Sequence, residues 1–351
     1  EFPSESVAIK RFFSLLTKED LFSEFYKYKN YTFQKLIDEY FVDRKLKFFL
    51  SALRIDSGDL PSKTSALADL MLIRGNIMDG GYFPKGGMST LPDLFVKSLL
   101  DNGGEIFKGT LVTKILMNKE RAVGVQLASG KKLESRVVVS NSDARYTYNT
   151  LLQDARIKKN VLKKINSMIP TTALFIVYVA VATSLKKFLR YRCAAVWNFS
   201  NSIGDGIVCT LPSVVDADLA PINSDSVTMY YGMPFRDQEY WVRNKDRIVE
   251  LFMNRFFRVF PVKEYVKFFS CATPIDQHKD TLNYKASSRG WAPTIKQITG
   301  NFPTHQTPVK NVFFVGHWVV SLSGNGGVTF VAQAGKKAAN FINRKWNLIV
   351  R

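Results

Sequence analysis

Val312-Phe313-Phe314-Val315-Gly316-His317, followed by Ser321-Leu322-Ser323-Gly324-Asn325-Gly326-Gly327 and then by Val328 to Ile342, reads as a short buried strand, a glycine loop and a helix with small residues on one side. This order brings the free backbone N–H groups of a helix N-terminus up to negative charge, as dinucleotide sites require. Gly324, Gly326 and Gly327 meet that demand. A tight turn before a helix explains glycines at these positions equally well.

Working back from this stretch, Gly80-Gly81-Tyr82-Phe83-Pro84-Lys85-Gly86-Gly87-Met88 rules out regular helix, and a helix follows at once. Ser89 is placed to cap it, Leu91, Leu94, Phe95 and Leu99 give it an apolar face, and Asn102-Gly103-Gly104 ends it. Strands are expected over Glu105 to Phe107, Leu111 to Met117, Ala122 to Ala128 and Lys132 to Ser140. The nearly continuous apolar run Arg136-Val137-Val138-Val139-Ser140 predicts burial on both faces. Further strands are expected at Leu174 to Val181, Ala194 to Phe199, Ile207 to Leu211 and Val227 to Tyr231, before a long helix over Gln238 to Val259. From Val7 to Ile55 apolar residues recur at helical spacing, with a capping-box pattern at Thr17 and Asp20 and a helix start near Thr32.

Composition bounds the function. The chain has 351 residues, enough for about two domains, and no run approaches the roughly 20 apolar residues that span a bilayer. No signal peptide is readable at Glu1-Phe2-Pro3, and free thiols in a reducing compartment, the cytoplasm, are the expectation from the cysteines. Three cysteines, Cys193, Cys209 and Cys271, and three histidines offer neither a disulfide framework nor a metal centre, so no metal is expected. The net charge of +19 favours an acidic partner. Basic residues alternate with large apolar ones in Lys10-Arg11-Phe12-Phe13, Lys45-Leu46-Lys47-Phe48-Phe49-Leu50 and Leu185-Lys186-Lys187-Phe188-Leu189-Arg190. Such mixtures suit peripheral attachment to an anionic membrane surface as well as they suit a solvated basic face over core aromatics. No zinc-finger or RNP-like sequence supports nucleic acid. Nor is there a Ser/His/Asp pattern or carboxylate pair that favours hydrolysis.

The segment from Gly80 to Met88 with Gly103-Gly104-Glu105-Ile106, the runs Leu111-Val112-Thr113-Lys114-Ile115, Ala122-Val123-Gly124-Val125 and Val137-Val138-Val139-Ser140-Asn141-Ser142-Asp143, then Asn283-Tyr284-Lys285, Gly290-Trp291-Ala292-Pro293-Thr294 and Asn311 to Ala339, occur in one order. In that order the chain resembles the phytoene desaturase, carotenoid isomerase and retinol saturase group of flavoproteins. The resemblance implies an α/β and α+β architecture of the amine-oxidase type, a Rossmann-like FAD-binding domain interleaved with a mixed-sheet substrate domain. It divides the chain into a helical part of the substrate domain (1–75), two FAD-domain parts (76–145 and 273–351) and the substrate domain proper (146–272). It implies FAD contacts from Val112, Asn141, Gly316, His317, Gly324, Gly326, Gly327 and Val328, and a substrate tunnel lined by Gly86, Gly87 and Met88. It further implies redox chemistry on an apolar isoprenoid such as a carotenoid or retinoid, by desaturation, saturation or isomerisation.

Two departures from the group stand out. His317 occupies the place after Gly316 where such proteins usually carry Asp or Glu, and no G-x-G-x-x-G pyrophosphate cradle occurs in these residues. The Rossmann-like domain is therefore expected to be incomplete, and FAD binding is expected only when that front segment is supplied. A non-catalytic isoprenoid-binding or interaction protein, or an inactive fragment, is the competing expectation.

Overall fold

The computed structural model describes residues 3–17, 27–53, 57–191, 193–199, 206–300, 303–319 and 327–349. In chain order the elements that matter here are helices α1 (Ser6–Thr17), α2 (Phe33–Tyr40), α3 (Arg44–Ala52), α4 (Ala66–Arg74) and α5 (Thr90–Asp101), then strands β1 (Val112–Asn118), β2 (Arg121–Leu127), β3 (Lys132–Glu134) and β4 (Val138–Ser140). Helix α6 (Lys159–Ser167), strands β5 (Ala173–Val181), β6 (Ala195–Phe199), β7 (Gly206–Thr210) and β8 (Asp225–Met233), helix α7 (Gln238–Val259), strands β9 (Val266–Ala272) and β10 (Val312–Phe314) and helix α8 (Val328–Ile349) follow. The chain forms two compact units. One comprises Glu1–Asp79, Gly109–Thr172 and Asp280–Arg351, the other Gly80–Lys108 and Ala173–Lys279.

The opening helices belong to the first unit rather than with the second sheet, which differs from the division expected from sequence. The physical tie is visible in their core. Phe12, Phe33, Leu36, Ile37, Phe41 and Ile73 are fully buried together with Ile298 from the C-terminal segment. The backbone N–H of Ser65 donates to Pro293 O at 2.8 Å. Local chemistry sets the helix starts: Thr32 Oγ1 accepts from Lys35 N–H, and Asp43 Oδ1 from Leu46 N–H. The expected capping pattern at Asp20 lies outside the described residues.

β1, β2 and β3 form an antiparallel meander. Gly124 is required there, because a Cβ would stand 2.2 Å from Leu133 O. Residues 105–107 are irregular rather than a strand, and the expected strand from 132 to 140 breaks into β3 and β4. The break is a turn in which Ser135 Oγ donates to Val137 O. β4 pairs in parallel with β10, and Val139, expected to be buried, is 47% exposed. Among the described strands β10 is its only ladder neighbour, and Val139 points to the opposite face from the buried Val138 and Ser140, a face left largely uncovered by the described residues.

In the second unit a five-stranded antiparallel sheet runs β6-β7-β8-β5-β9. Strict alternation along β5 buries Phe175, Val177, Val179 and Val181 against Trp241, Phe252 and Phe256 of α7. β9 escapes a sequence reading because its residues are mostly exposed at the sheet edge. α5 forms as expected, but it buries none of its residues, and Ser89 makes no side-chain cap bond. Leu94 and Phe95 of its apolar face are 59% and 68% exposed.

Candidate functional site

The parallel register of β4 and β10 pairs Val312 with Val138 and Phe314 with Ser140. Both strands therefore end level, and Val315 N–H donates to Ser140 O at 3.0 Å. The next residues, Asn141 and Gly316, meet there. Gly316 has φ +81°, and a Cβ on it would lie 1.9 Å from Asn141 Oδ1. Only glycine supplies both that left-handed backbone and that approach. Crevices outside the C-terminal ends of parallel strands are where α/β sheets bind ligands.

His317 follows on a turn fixed from the other side. Gly290 has φ +75°, and a Cβ on it would collide with the His317 carbonyl. Trp291 Nε1–H donates to Trp318 O at 2.8 Å, and the two fully buried indoles pack edge to face at 4.8 Å. Trp318 Nε1–H in turn reaches Asn283 Oδ1 at 3.4 Å. The segment carrying Gly290 is anchored by polar groups. Gly290 O accepts from Thr171 N–H and Ser287 Oγ–H, and Gln297 Nε2–H donates to Ala292 O and Ile169 O. Burial pushes the His317 imidazole down to about 4, so the ring is neutral at physiological pH.

Several residues expected from sequence come together here. Asn141, Gly316 and His317 adjoin at the strand ends. Val112 packs on the cluster formed by Val138 and Val312, behind those ends. Gly327 has φ +95° directly before α8, and Val331 N–H donates to its carbonyl, while Val328 is 49% exposed. Gly324 and Gly326 lie outside the described residues. In the second unit, Gly86 N–H donates to Asp216 Oδ2 at 2.7 Å, a Cβ on Gly87 would face Leu219, and Met88 is 48% exposed. Sequence reasoning gave no role to Asn283, Gly290, Trp291 and Trp318, which contact one another around the His317 turn. The adjacent Gly290-Trp291 pair was the available sign.

The sequence profile of the family described as flavin containing amine oxidoreductase matches residues 13–343. The zeta-carotene-forming phytoene desaturase of Myxococcus xanthus is 24% identical over 295 residues, covering 80% of this chain and 56% of that protein. The chloroplastic prolycopene isomerase of Arabidopsis thaliana is 22% identical over 278 residues, covering 74% of this chain and 45% of that protein. The chain thus spans about half the length of these curated relatives. Among solved structures, an oxidoreductase from Methanosarcina mazei superposes with a TM-score of 0.66 at 18% identity, covering 88% of this chain and 68% of that one. A putrescine oxidase superposes with a TM-score of 0.64 at 11% identity, covering 90% of this chain and 69% of that one, and these likenesses establish the amine-oxidase-like fold.

Proposed function

Because the chain belongs to the flavin-containing amine oxidoreductase family, we propose that it forms the flavin-ring and substrate side of an FAD-dependent oxidoreductase acting on an apolar isoprenoid, such as a carotenoid or retinoid. The observation that carries this reading is the meeting of Asn141 and Gly316 at the level ends of β4 and β10.

The residues present fit an uncharged, hydroxyl-bearing part of the cofactor. The Asn141 amide takes the space that a side chain at 316 would fill, which sets a polar group at the strand ends, and His317, neutral and half-buried, offers nitrogens to hydroxyls where an acid would present a charge. Val112, Asn141, Gly316, His317, Gly327 and Val328 would hold the group, joined by Gly324 and Gly326 on the strength of their place in the sequence. Bound there, FAD supplies the hydride chemistry of desaturation, saturation or isomerisation. The first N–H groups of α8 would favour negative charge developing beside them. Gly86, Gly87 and Met88 would contact the isoprenoid, two of them offering no side chain to obstruct a long stiff chain.

The relatives named after carotenoid conversions support the substrate class. Peripheral docking on an anionic membrane is part of the proposal. The net charge of +19 and the exposed Tyr265, Phe268 and Phe269 flanking Lys267 support it, whereas Phe12, from the first basic and aromatic stretch, is core. Co-sedimentation with anionic vesicles, lost at high salt, checks that part.

The test of the site is FAD titration into the chain supplied with a G-x-G-x-x-G segment from a family member. A stoichiometric, red-shifted flavin spectrum that Gly316→Val abolishes is expected. A spectrum indifferent to Gly316→Val rejects this site, and carotenoid binding without flavin uptake points instead to a non-catalytic isoprenoid-binding protein.

A further inference from the structure

We propose that Arg145, assisted by Asp143, is a positioning residue that holds the His317–Trp318 peptide in place through Tyr284 and Trp291. The functional meaning of that turn rests on the flavin reading above.

Both residues follow directly from the end of β4. Asp143 is 1% exposed and spends its carboxylate on two backbone donors: Oδ1 accepts from Tyr146 N–H at 3.0 Å and Oδ2 from Tyr284 N–H at 2.8 Å. Arg145 Nη2–H donates to the carbonyls of Asn166 and Met168 at 2.9 and 2.5 Å. Its guanidinium lies 3.8 Å from the Tyr284 ring centroid and 5.5 Å from that of Trp291. Those distances are within the range of cation–π attraction. Nη1 is buried without a hydrogen-bond partner among the described residues, so shape and ring faces, not a carboxylate fork, hold this end of the side chain.

The chain of contacts is continuous. Asp143 fixes the backbone of Tyr284, Arg145 fixes the rings of Tyr284 and Trp291, and Trp291 Nε1–H fixes Trp318 O. Gly290, next to Trp291, abuts the His317 carbonyl. The end of one strand therefore supports the turn after β10 twice, directly at Asn141 and indirectly through Arg145. Lysine at 145 would keep the charge but lose the flat guanidinium face that lies over Tyr284.

The test uses the flavin-free chain and reads the indole N–H of Trp291 by NMR, assigned by its loss in Trp291→Phe. Arg145→Lys is expected to speed hydrogen exchange of that proton about tenfold while the unit keeps one cooperative melt. Tyr284→Leu should do the same, and the double variant should add nothing, because both act through one contact. Arg145→Gln is a harsher version; should it fail to fold, Arg145→Lys decides. Wild-type exchange in Arg145→Lys, multiplicative effects in the double variant, or global unfolding of Arg145→Lys would each overturn the proposal. Failure of the chain supplied with a G-x-G-x-x-G segment to take up FAD would sink the functional reading and leave the exchange result standing.

Discussion

The carbonyl oxygen of His317 stands 2.0 Å from where Gly290 would carry a Cβ. Both partners of this contact are backbone, so no rotamer change relieves it. Gly290→Ala is expected to cost about 3–4 kcal/mol, combining left-handed strain with overpacking. Gly130→Ala is the control, since Gly130 also has positive φ but no neighbour within 4 Å, and it should cost about 1–2 kcal/mol. Urea unfolding of the two variants measures the difference.

Gly316 faces a side chain instead. Gly316→Ala should destabilise by about 2–3 kcal/mol, and adding Asn141→Ala should recover part of that loss by removing the clashing amide while the φ strain remains. Equal stabilities of the single and double variants would show that Asn141 does not set the approach.

The folded His317 titrates near 4, below its usual 6.5. A depressed folded pKa means that the unfolded chain binds the proton more readily. Stability is thus fully present above about pH 6.5 and is lost as the pH falls through 4, by up to about 3 kcal/mol. Asp38 and Asp276, also held low, lose their contributions only below the ordinary carboxylate range. His317→Gln should flatten the stability profile between pH 6.5 and 4, which denaturant melts across that window will show.

Leu94, Phe95 and Leu99 give α5 an apolar face with no cover among the described residues. Phe95→Lys should therefore change stability by no more than about 0.5 kcal/mol. It should also reduce self-association, measured by light scattering. A loss of several kcal/mol would mean that this face is packed in the folded chain.

The same helix shows where sequence reading stops. Spacing of Leu91, Leu94, Phe95 and Leu99 announces a face but carries no record of what covers it. Val139 fails likewise, because an apolar run predicts a central strand and only a neighbouring strand makes it one. β10, Gly316 and α8 were legible, since strand, left-handed glycine and helix are each encoded within a few residues. The Gly290–His317 approach and the Arg145–Tyr284 stack join segments far apart in sequence. Their only trace is a glycine or an arginine, and each has many other uses.

The proposed activity is flavin chemistry on an apolar isoprenoid. Its most direct test is anaerobic mixing of the FAD-loaded protein with carotenoids, retinoids and, for contrast, an amine such as putrescine, following flavin absorbance and product isomers. Flavin reduction, reoxidation from the reduced state or a new isomer is expected with at least one isoprenoid, and no response to the amine. Reduction by the amine, with every isoprenoid inert, would contradict it.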